Sequence, residues 1–439
     1  VMNILINDTL VLPMTASGGE APVFRGHVGI SGDRIVMVGR DGEDAERFRR
    51  EHAGALREID GRGKLVMPGF VNTHNHVAMT LMRGYADDMS LMPWLTEKIW
   101  PFEEKERPDD VRLGAEVGIA EMLLGGTTTF VDMYWMQASV AEAVCHSGIR
   151  AVLSPCFVDA RFGEFERDLE TVMERYAGAC EGRIGVMIAP HAPYTCSPEH
   201  LRRALELSRH YGIGINIHVA ETAAEIETIA GKYGKSPVAY LRDLGVFERS
   251  TLAVHAVHLT DGDIAVLKEY GVSVAHNPQS NMKISSGISP VARLLSEGIN
   301  VGIGTDGPSS NNDLDMWEEM RSASFLQKVA TGDPCVLPAY EVLKMATVNG
   351  ARAIGMEGKV GQIAEGLLAD VVLIDICKPH LCPQHDVVAN LVYCGKSSDV
   401  DTVIVNGKVV VEGGRLLTLD AGALCGEVQE RAEEMLRRS

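Results

Sequence analysis

Histidine and carboxylate residues stand where short apolar runs end in the middle of this 439-residue chain. The first of these runs ends in His74 and His76, two positions apart. Along a strand, such residues point to the same side, so that both imidazoles can reach one ion, whereas on a helix they would diverge by about 200°. Neutral imidazole suits zinc and similar divalent metals, and a carboxylate can complete the set. Taken alone, a His-x-His pair is more often a polar strand end than a metal site, so the surrounding sequence must decide between the two interpretations.

Later apolar runs also give way to histidine or carboxylate residues near their ends. Polar residues lie in or just after the last part of these runs: His191, His218 with Glu221, His255 and Asp306. In a (β/α)8 barrel, the C-terminal ends of all strands face one mouth, where catalysis takes place. We therefore predict that these residues converge on one active site.

The apolar runs themselves predict the elements that position these residues. Eight runs, most of them separated by segments with helical spacing, indicate a parallel sheet covered by helices: 65–73, 127–133, 150–157, 183–190, 212–219, 251–258, 271–278 and 300–306. Eight is the number of strands that closes a barrel, and a barrel of about 250 residues with insertions fits this span. A doubly wound open sheet is the competing layout, which periodicity alone does not exclude.

The two chain ends differ from the middle and resemble each other. Both carry short β-branched runs broken by Gly and Asp, at 4–11, 26–38, 369–375 and 401–414. Asn406-Gly407 between two Val-rich runs is a strong hairpin signal. Because neither end has enough strands for a stable sheet, we predict one small β-sandwich built from both ends. The predicted domains are 1–64 (N-terminal part of the β-sandwich), 65–357 (barrel) and 358–439 (C-terminal part of the β-sandwich and a terminal helix over 428–438).

Composition and charge exclude several classes of function. Forty-one Lys and Arg against 60 Asp and Glu give a net charge of −19, which disfavours nucleic-acid binding. No apolar run approaches the roughly 20 residues that cross a bilayer. The nine cysteines form no Cys-x-x-Cys pair, so we expect small core residues rather than disulfides or zinc clusters. We expect a cytoplasmic homo-oligomer that binds neither nucleic acid nor membrane.

Longer motifs cover nearly the whole chain. The longest spans 68–103 (PGFVNTHNHVAMTLMRGYADDMSLMPWLTEKIWPFE), and others are GGTTTFVDMY (125–134), PHAPYTCS (190–197), IHVAET (217–222), VHAVHL (254–259), HNPQSNMK (276–283), IGTDGPSSNN (303–312) and GKVGQIAEGLLADVVLID (358–375). Together they resemble the amidohydrolase superfamily and, within it, the methylthioadenosine/S-adenosylhomocysteine deaminases and their chlorohydrolase-like relatives. The resemblance implies a (β/α)8 barrel that carries one zinc or iron ion, plus a β-sandwich built from both chain ends.

The resemblance also implies roles for the residues at the strand ends. Four of them would bind the metal: His74, His76, His218 and Asp306. Glu221 would carry a proton to the substrate, and His255 would hold the attacking water, whose proton Asp306 can accept. Binuclear superfamily members have a carboxylated lysine at the end of strand four, where this chain has His191. We therefore predict one divalent metal per chain, with Zn²⁺ preferred over Fe²⁺.

Four further residues would recognise the substrate. By resemblance, Glu103 accepts hydrogen bonds from ribose hydroxyls, His191 contacts the purine, and Trp94 lines the pocket. Arg161, with Arg167 as its alternative, is the candidate after strand three for the carboxylate of a homocysteine side chain. The predicted activity is hydrolytic deamination of the 6-amino group of an adenosine-type nucleoside: 5′-methylthioadenosine, S-adenosylhomocysteine, adenosine or 5′-deoxyadenosine.

Two alternatives use the same site differently. One is hydrolysis of another ring, as in triazine chlorohydrolases and aminohydrolases or guanine and oxopurine deaminases. Glu103 separates this alternative from the nucleoside hypothesis, because a ribose-binding carboxylate has no purpose in a triazine pocket. The other alternative, a non-catalytic binding protein, is disfavoured because every ligand and proton-transfer position is filled.

Overall fold

The computed structural model describes residues 2–15 and 23–438. The predicted segments 1–64 and 358–439 also contain residues 1, 16–22 and 439, which lie outside the described residues. The strands in the described ranges are β1 (Asn3–Val11), β2 (Phe24–Ser31), β3 (Arg34–Gly39), β4 (Leu56–Asp60), β5 (Lys64–Pro68), β6 (Phe70–Asn75), β7 (Thr127–Tyr134), β8 (Arg150–Phe157), β9 (Ile184–Pro190), β10 (Gly214–Val219), β11 (Thr251–His255), β12 (Ser273–His276), β13 (Val301–Ile303), β14 (Val371–Asp375), β15 (Val400–Val405), β16 (Lys408–Glu412) and β17 (Arg415–Leu416).

Helices fill most of the connections between the strands. They are α1 (Gly42–Glu51), α2 (Leu91–Trp94), α3 (Trp100–Glu103), α4 (Pro108–Leu124), α5 (Gln137–Ser147), α6 (Phe162–Arg175), α7 (Ala179–Gly182), α8 (Pro198–Tyr211), α9 (Ala223–Tyr233), α10 (Pro237–Asp243), α11 (Asp261–Glu269), α12 (Pro278–Lys283), α13 (Val291–Ser296), α14 (Met316–Thr331), α15 (Ala339–Ala346), α16 (Val348–Ala353), α17 (Val387–Cys394) and α18 (Ala421–Arg437). Short 3-10 turns occur at Val77–Met82, Asp159–Arg161, Val246–Glu248, Pro379–Leu381 and Ser397–Asp399, and a π-helical turn occurs at Leu95–Ile99.

Strands β6 to β13 form the predicted eight-stranded barrel. They lie side by side in chain order, and every adjacent pair is parallel. The two outermost strands approach each other, since the Asp306 N–H donates to the His74 carbonyl at 3.0 Å. Gly302 allows this approach, because a Cβ there would lie 2.6 Å from Thr73 Cγ2. The open-sheet alternative is therefore wrong.

The apolar character of the barrel strands follows from their burial. Every residue of β7 and β8 is buried, because helices cover one face and the other faces the barrel interior. Five of the barrel strands contribute to one apolar cluster in this interior: Val131, Val152, Met187, Leu252, Val254 and Ala275 come from β7, β8, β9, β11 and β12. The barrel is thus a packed core that supports polar residues at its mouth.

Two helices anticipated from apolar spacing begin at their predicted caps. Helix α8 starts after Ser197, whose hydroxyl accepts a hydrogen bond from the His200 N–H at 3.3 Å. Helix α11 starts after Thr260, which forms a reciprocal capping box with Asp263. Such side chains satisfy amide groups that the first helical turn leaves without partners.

The strands of both chain ends join into one separate sheet, as predicted. Its order is β17-β16-β15-β14-β5-β1-β2-β3, with β4 paired to β1. The antiparallel pair β5–β14 connects the two ends of the chain. Hairpin β15–β16 turns at Asn406 and Gly407, both with positive φ, as the Asn-Gly signal predicts. The exact domain boundaries stay a prediction.

The expectation of one strand over 65–73 is wrong. Residues up to Pro68 belong to β5 in the end sheet, whereas Phe70 begins barrel strand β6. Gly69 lies between them at a place where a Cβ would be 2.1 Å from Thr128 Cγ2. The apolar run continues through this crossing because both strands are buried, so hydrophobicity carries no signal of the change of sheet.

The expectation that the cysteines are core residues without disulfides is wrong in two respects. Cys145 and Cys180 form a disulfide. Of the remaining seven, only Cys156 and Cys196 are buried.

The terminal helix α18 also begins earlier than predicted, at Ala421. Among the described residues, no helix is both long and apolar enough to span a membrane.

Candidate metal and substrate site

The ends of β6 and β13 bring two histidines and one aspartate together. Asp306 Oδ1 lies 3.3 Å from His74 Nε2 and 3.2 Å from His76 Nε2. All three side chains are largely or fully buried. The predicted convergence of the His-x-His pair with Asp306 is therefore present in the structure.

His218, at the end of β10, completes a set of four donor atoms. Its Nε2 lies 3.2 Å from His74 Nε2. Tetrahedral zinc with bonds of about 2.0–2.1 Å holds its nitrogen ligands about 3.3 Å apart. The separations of 3.2 and 3.3 Å in this cluster match that spacing. The donor set and its geometry thus fit a divalent metal.

Backbone carbonyls orient two of these imidazole rings. His76 Nδ1 lies 2.5 Å from the Met133 carbonyl oxygen, and His218 Nδ1 lies 2.7 Å from the His191 carbonyl oxygen. Because a carbonyl accepts only from a protonated nitrogen, Nδ1 carries the hydrogen in each ring. The Nε2 atoms are therefore left with free lone pairs directed at the common centre.

Asp306 is held by its own loop and by α12. Its Oδ1 accepts from the Gly307 N–H at 2.8 Å, and its Oδ2 accepts from the Ser280 hydroxyl at 2.6 Å. Its backbone has a φ of 60°, which a non-glycine residue adopts at some energetic cost. The strained turn points the carboxylate into the cluster, and the two donors keep it there.

Burial and the surrounding charges set the protonation of the cluster. Burial lowers the pKa of His74 to about 4 and that of His218 well below its usual value. Hydrogen bonds from His74 and His76 hold the pKa of Asp306 well below its usual range, although burial opposes this. Burial also opposes protonation of His76, but the Asp306 carboxylate raises its pKa to about 9. Neutral imidazoles beside an ionised carboxylate are the forms that bind a divalent cation, so binding of the cation would displace the proton from His76.

Glu221 and His255 stand next to this cluster. His255 Nε2 lies 3.7 Å from Glu221 Oε1 and 3.9 Å from Asp306 Oδ2. The Asn281 amide oxygen is 2.9 Å from His255 Nδ1 and orients the ring. Burial raises the pKa of Glu221, which brings the carboxyl closer to the range in which it can both take up and release a proton at neutral pH.

Glu225, which was not predicted from the sequence, positions Glu221. Its two carboxyl oxygens accept from the N–H groups of Ala220 and Glu221, at 2.8 and 2.9 Å. Ala220 has a φ of 53°, so this turn needs support. A signal existed, since Thr222 and Glu225 have the spacing of a capping box at the start of α9.

A cavity opens over the cluster, with about 600 Å³ of empty space when its solvent-filled mouth is included. Three of the four predicted substrate residues, Trp94, Glu103 and His191, line it together with Glu221, His255 and Asp306. Burial lowers the pKa of His191 to about 3 and keeps its ring neutral. The cavity thus joins the metal-binding geometry and the predicted substrate contacts in one space.

Arg161 does not line this cavity in the described part of the chain. Its guanidinium group pairs with Glu164 at 3.0 Å and lies over the Trp135 ring, 4.6 Å from the centroid. Trp135 itself lines the cavity, so Arg161 stands behind one wall. Several lining side chains were not predicted from the sequence: Met133 and Tyr134 at the end of β7, Cys156 near the end of β8, and Trp135 and Tyr194 in the segments after strands. Met133, Tyr134 and Tyr194 lie within the motifs 125–134 and 190–197, but their residue types are those of ordinary core residues.

Comparisons with known proteins agree with this geometry. The model of the amidohydrolase family matches residues 65–410. A 5-methylthioadenosine/S-adenosylhomocysteine deaminase from Pelotomaculum thermopropionicum is 51% identical over 440 residues, covering 99% of each chain. The chain belongs to the amidohydrolase family. The predicted superfamily, its deaminase branch and the prediction of a hydrolytic enzyme are therefore confirmed.

Solved structures support the same fold for this amidohydrolase. A zinc-bound adenosine deaminase from Xanthomonas campestris is 33% identical, with a TM-score of 0.91 over 100% of this chain and 99% of that chain. An atrazine chlorohydrolase from Arthrobacter aurescens in complex with zinc is 24% identical, with a TM-score of 0.89 over 98% of this chain and 100% of that chain. The second likeness concerns the fold alone.

Proposed function

We propose that this amidohydrolase is a hydrolytic deaminase of adenosine-type nucleosides. The observation that carries the proposal is the single cavity in which Glu103 and His191 stand with the His74, His76, His218 and Asp306 cluster. A substrate that contacts Glu103 and His191 also reaches the four-residue cluster within this cavity. The full-length relative with 51% identity, whose name is that of such a deaminase, supports the same activity.

The four-residue cluster would hold one divalent metal ion per chain, with Zn²⁺ the first choice. When bound, such an ion would lower the pKa of a water molecule towards about 7 and so supply hydroxide at neutral pH. The zinc in the adenosine deaminase structure supports this choice of metal. The three imidazoles and one carboxylate are the donor types that zinc prefers.

The neighbouring residues would manage protons during the reaction. Glu221 delivers a proton to the ring nitrogen next to the attacked carbon and then helps to protonate the departing amino group as ammonia. His255 and Asp306 orient the attacking water and accept its proton. The spacing of 3.7 Å between His255 and Glu221 supports this division, because both side chains border the same space.

The remaining predicted residues would select the nucleoside. Glu103 accepts hydrogen bonds from the ribose hydroxyls, His191 contacts the purine, and Trp94 forms part of the wall. Arg161 reaches a substituent at the 5′ position only if that substituent passes Trp135, since the arginine lies behind this ring.

Ammonia release from a set of purines tests the proposed activity. The purified zinc-loaded protein is assayed for ammonia release with 5′-methylthioadenosine, S-adenosylhomocysteine, adenosine and 5′-deoxyadenosine, and with guanine as a comparison compound. A chlorotriazine, the second comparison compound, is assayed for chloride release. We expect turnover of the adenosine-type nucleosides. Turnover confined to guanine or the triazine would refute the nucleoside proposal.

Cellular location and assembly are also proposals. We propose a cytoplasmic homo-oligomer that acts on a small molecule. Fractionation of the native host tests the first statement, and analytical ultracentrifugation of the purified chain tests the second. A sedimentation coefficient of a 47.5 kDa monomer at micromolar concentration would refute the oligomer.

A further inference from the structure

Two buried carboxyl groups meet at the back of the substrate cavity. Glu103 ends α3, and the following turn, in which the Glu106 N–H donates to the Glu103 carbonyl at 3.1 Å, brings Glu106 beside it. The Tyr134 hydroxyl lies 3.1 and 3.0 Å from the two carboxyl oxygens of Glu106. Glu103 and Glu106 are only 3% and 6% exposed. Glu103 borders the cavity, whereas Glu106 is not among its lining residues.

No nearby cation balances Glu106. In residues 2–15 and 23–438, no lysine, arginine or histidine nitrogen lies within 4.0 Å of its carboxyl group. The carboxylate of Asp110, one helical turn further on, is occupied by Arg431 and Arg438. Arg161 acts on Glu103 and Glu106 only through its charge at longer range, and its guanidinium group pairs with Glu164 at 3.0 Å. Two buried carboxylates in such a place cannot both be ionised at low cost.

We propose that Glu106 is a positioning residue that holds the shared proton of this pair and, through Tyr134, keeps Glu103 ionised and correctly oriented. The protonated carboxyl of Glu106 donates to the Tyr134 oxygen, and the Tyr134 hydroxyl in turn donates towards Glu103. Glu103 then remains a pure acceptor that faces the cavity. This role rests on the proposed function, in which Glu103 accepts the ribose hydroxyls.

The pKa shifts of Glu106 and Glu103 agree with that arrangement. Burial raises the pKa of Glu106 well above its usual value, and the neighbouring Glu103 and Asp110 add to the effect. Burial also raises the pKa of Glu103, but Trp135, Tyr134, His76 and Arg161 oppose it. The proton therefore belongs on Glu106, and the negative charge belongs on the carboxyl that the substrate reaches.

Three substitutions and one pair of substrates test the proposal. Glu106→Ala and Tyr134→Phe each interrupt the series of hydrogen bonds from Glu106 through Tyr134 to Glu103. The value of kcat/KM for adenosine should therefore fall roughly ten-fold, about the loss of one hydrogen bond to a charged group. The fall should appear mainly in KM. The same variants should leave 2′,3′-dideoxyadenosine, which lacks both ribose hydroxyls, within about two-fold of the wild type. Glu106→Gln should keep near-normal kinetics, because its amide donates to Tyr134 as a protonated carboxyl does.

The controls separate a positioning role from damage to the fold. Glu104→Ala removes an exposed carboxyl from the same turn and should change neither substrate. Metal content and thermal unfolding are measured for every variant. Equal losses with both substrates would overturn the proposal, and so would a Glu106→Gln variant as impaired as Glu106→Ala, since Glu106 would then act as an anion. Absence of turnover by the wild type with either nucleoside would instead refute the proposed function.

Discussion

Substituting Glu225 should loosen the turn that carries the proposed proton carrier. The carboxyl group of Glu225 accepts from two consecutive backbone N–H groups, at Ala220 and Glu221, and it is 3% exposed. Ala220 has a positive φ, so the turn does not persist through local preference alone. In Glu225→Ala, both amides lose their acceptor in a place that solvent barely reaches.

The size of the effect follows from these two bonds. A buried donor without a partner costs about 1–3 kcal/mol, so two of them should lower the free energy of unfolding by about 2–6 kcal/mol. Glu225→Gln should lie between this variant and the wild type, because an amide has one acceptor oxygen for two donors. Turnover should fall more than the affinity for substrate, since the displaced group is Glu221 and not a substrate contact.

Chemical denaturation of the zinc-loaded protein at pH 7 measures the first quantity, and steady-state deamination of adenosine measures the second. Glu227→Ala is the matched control, because Glu227 is exposed on the same helix, and it should change stability by less than about 0.5 kcal/mol. If Glu225→Ala were as stable as this control and turned over adenosine at the wild-type rate, the carboxyl group would have no part in holding Glu221.

Three further outcomes follow from the site. Metal analysis should find about one ion per chain, chelation should abolish turnover and added Zn²⁺ should restore it; a reproducible requirement for two ions would contradict the assignment of one. Glu221→Gln should keep the metal and lose at least about 10²-fold in kcat, because an amide cannot carry protons; a near-normal rate at full metal occupancy would remove Glu221 from the reaction. Glu103→Ala should lower kcat/KM for nucleosides by a factor that corresponds to about 1.5–3 kcal/mol of lost transition-state stabilisation, and it should leave kcat/KM for free bases nearly unchanged. Equal losses with both kinds of substrate would reject the ribose contact.

Much of the barrel and its metal cluster could be predicted from the sequence. Strands buried on both faces must be continuously apolar, so runs such as 150–157 predict their own positions, and the structure places β8 at the same residues. Polar residues directly after such runs fall at one mouth once the strands are parallel, which is why His74, His218 and Asp306 could be grouped without coordinates. A tight turn can likewise be predicted from neighbouring residues alone, as the Asn406-Gly407 hairpin shows.

Other features depended on contacts between distant parts of the chain. The passage from β5 to β6 is invisible in the sequence because both strands are equally buried, and only their different partners distinguish them. Trp135 and Tyr134 look like core aromatics, yet the cavity and two glutamates lie against them. Arg161 follows strand three as expected, but its side chain turns to Glu164 behind the Trp135 ring. Spacing along a chain sets which strand end a residue occupies, whereas the direction of a long side chain depends on the charges and rings that folding brings around it.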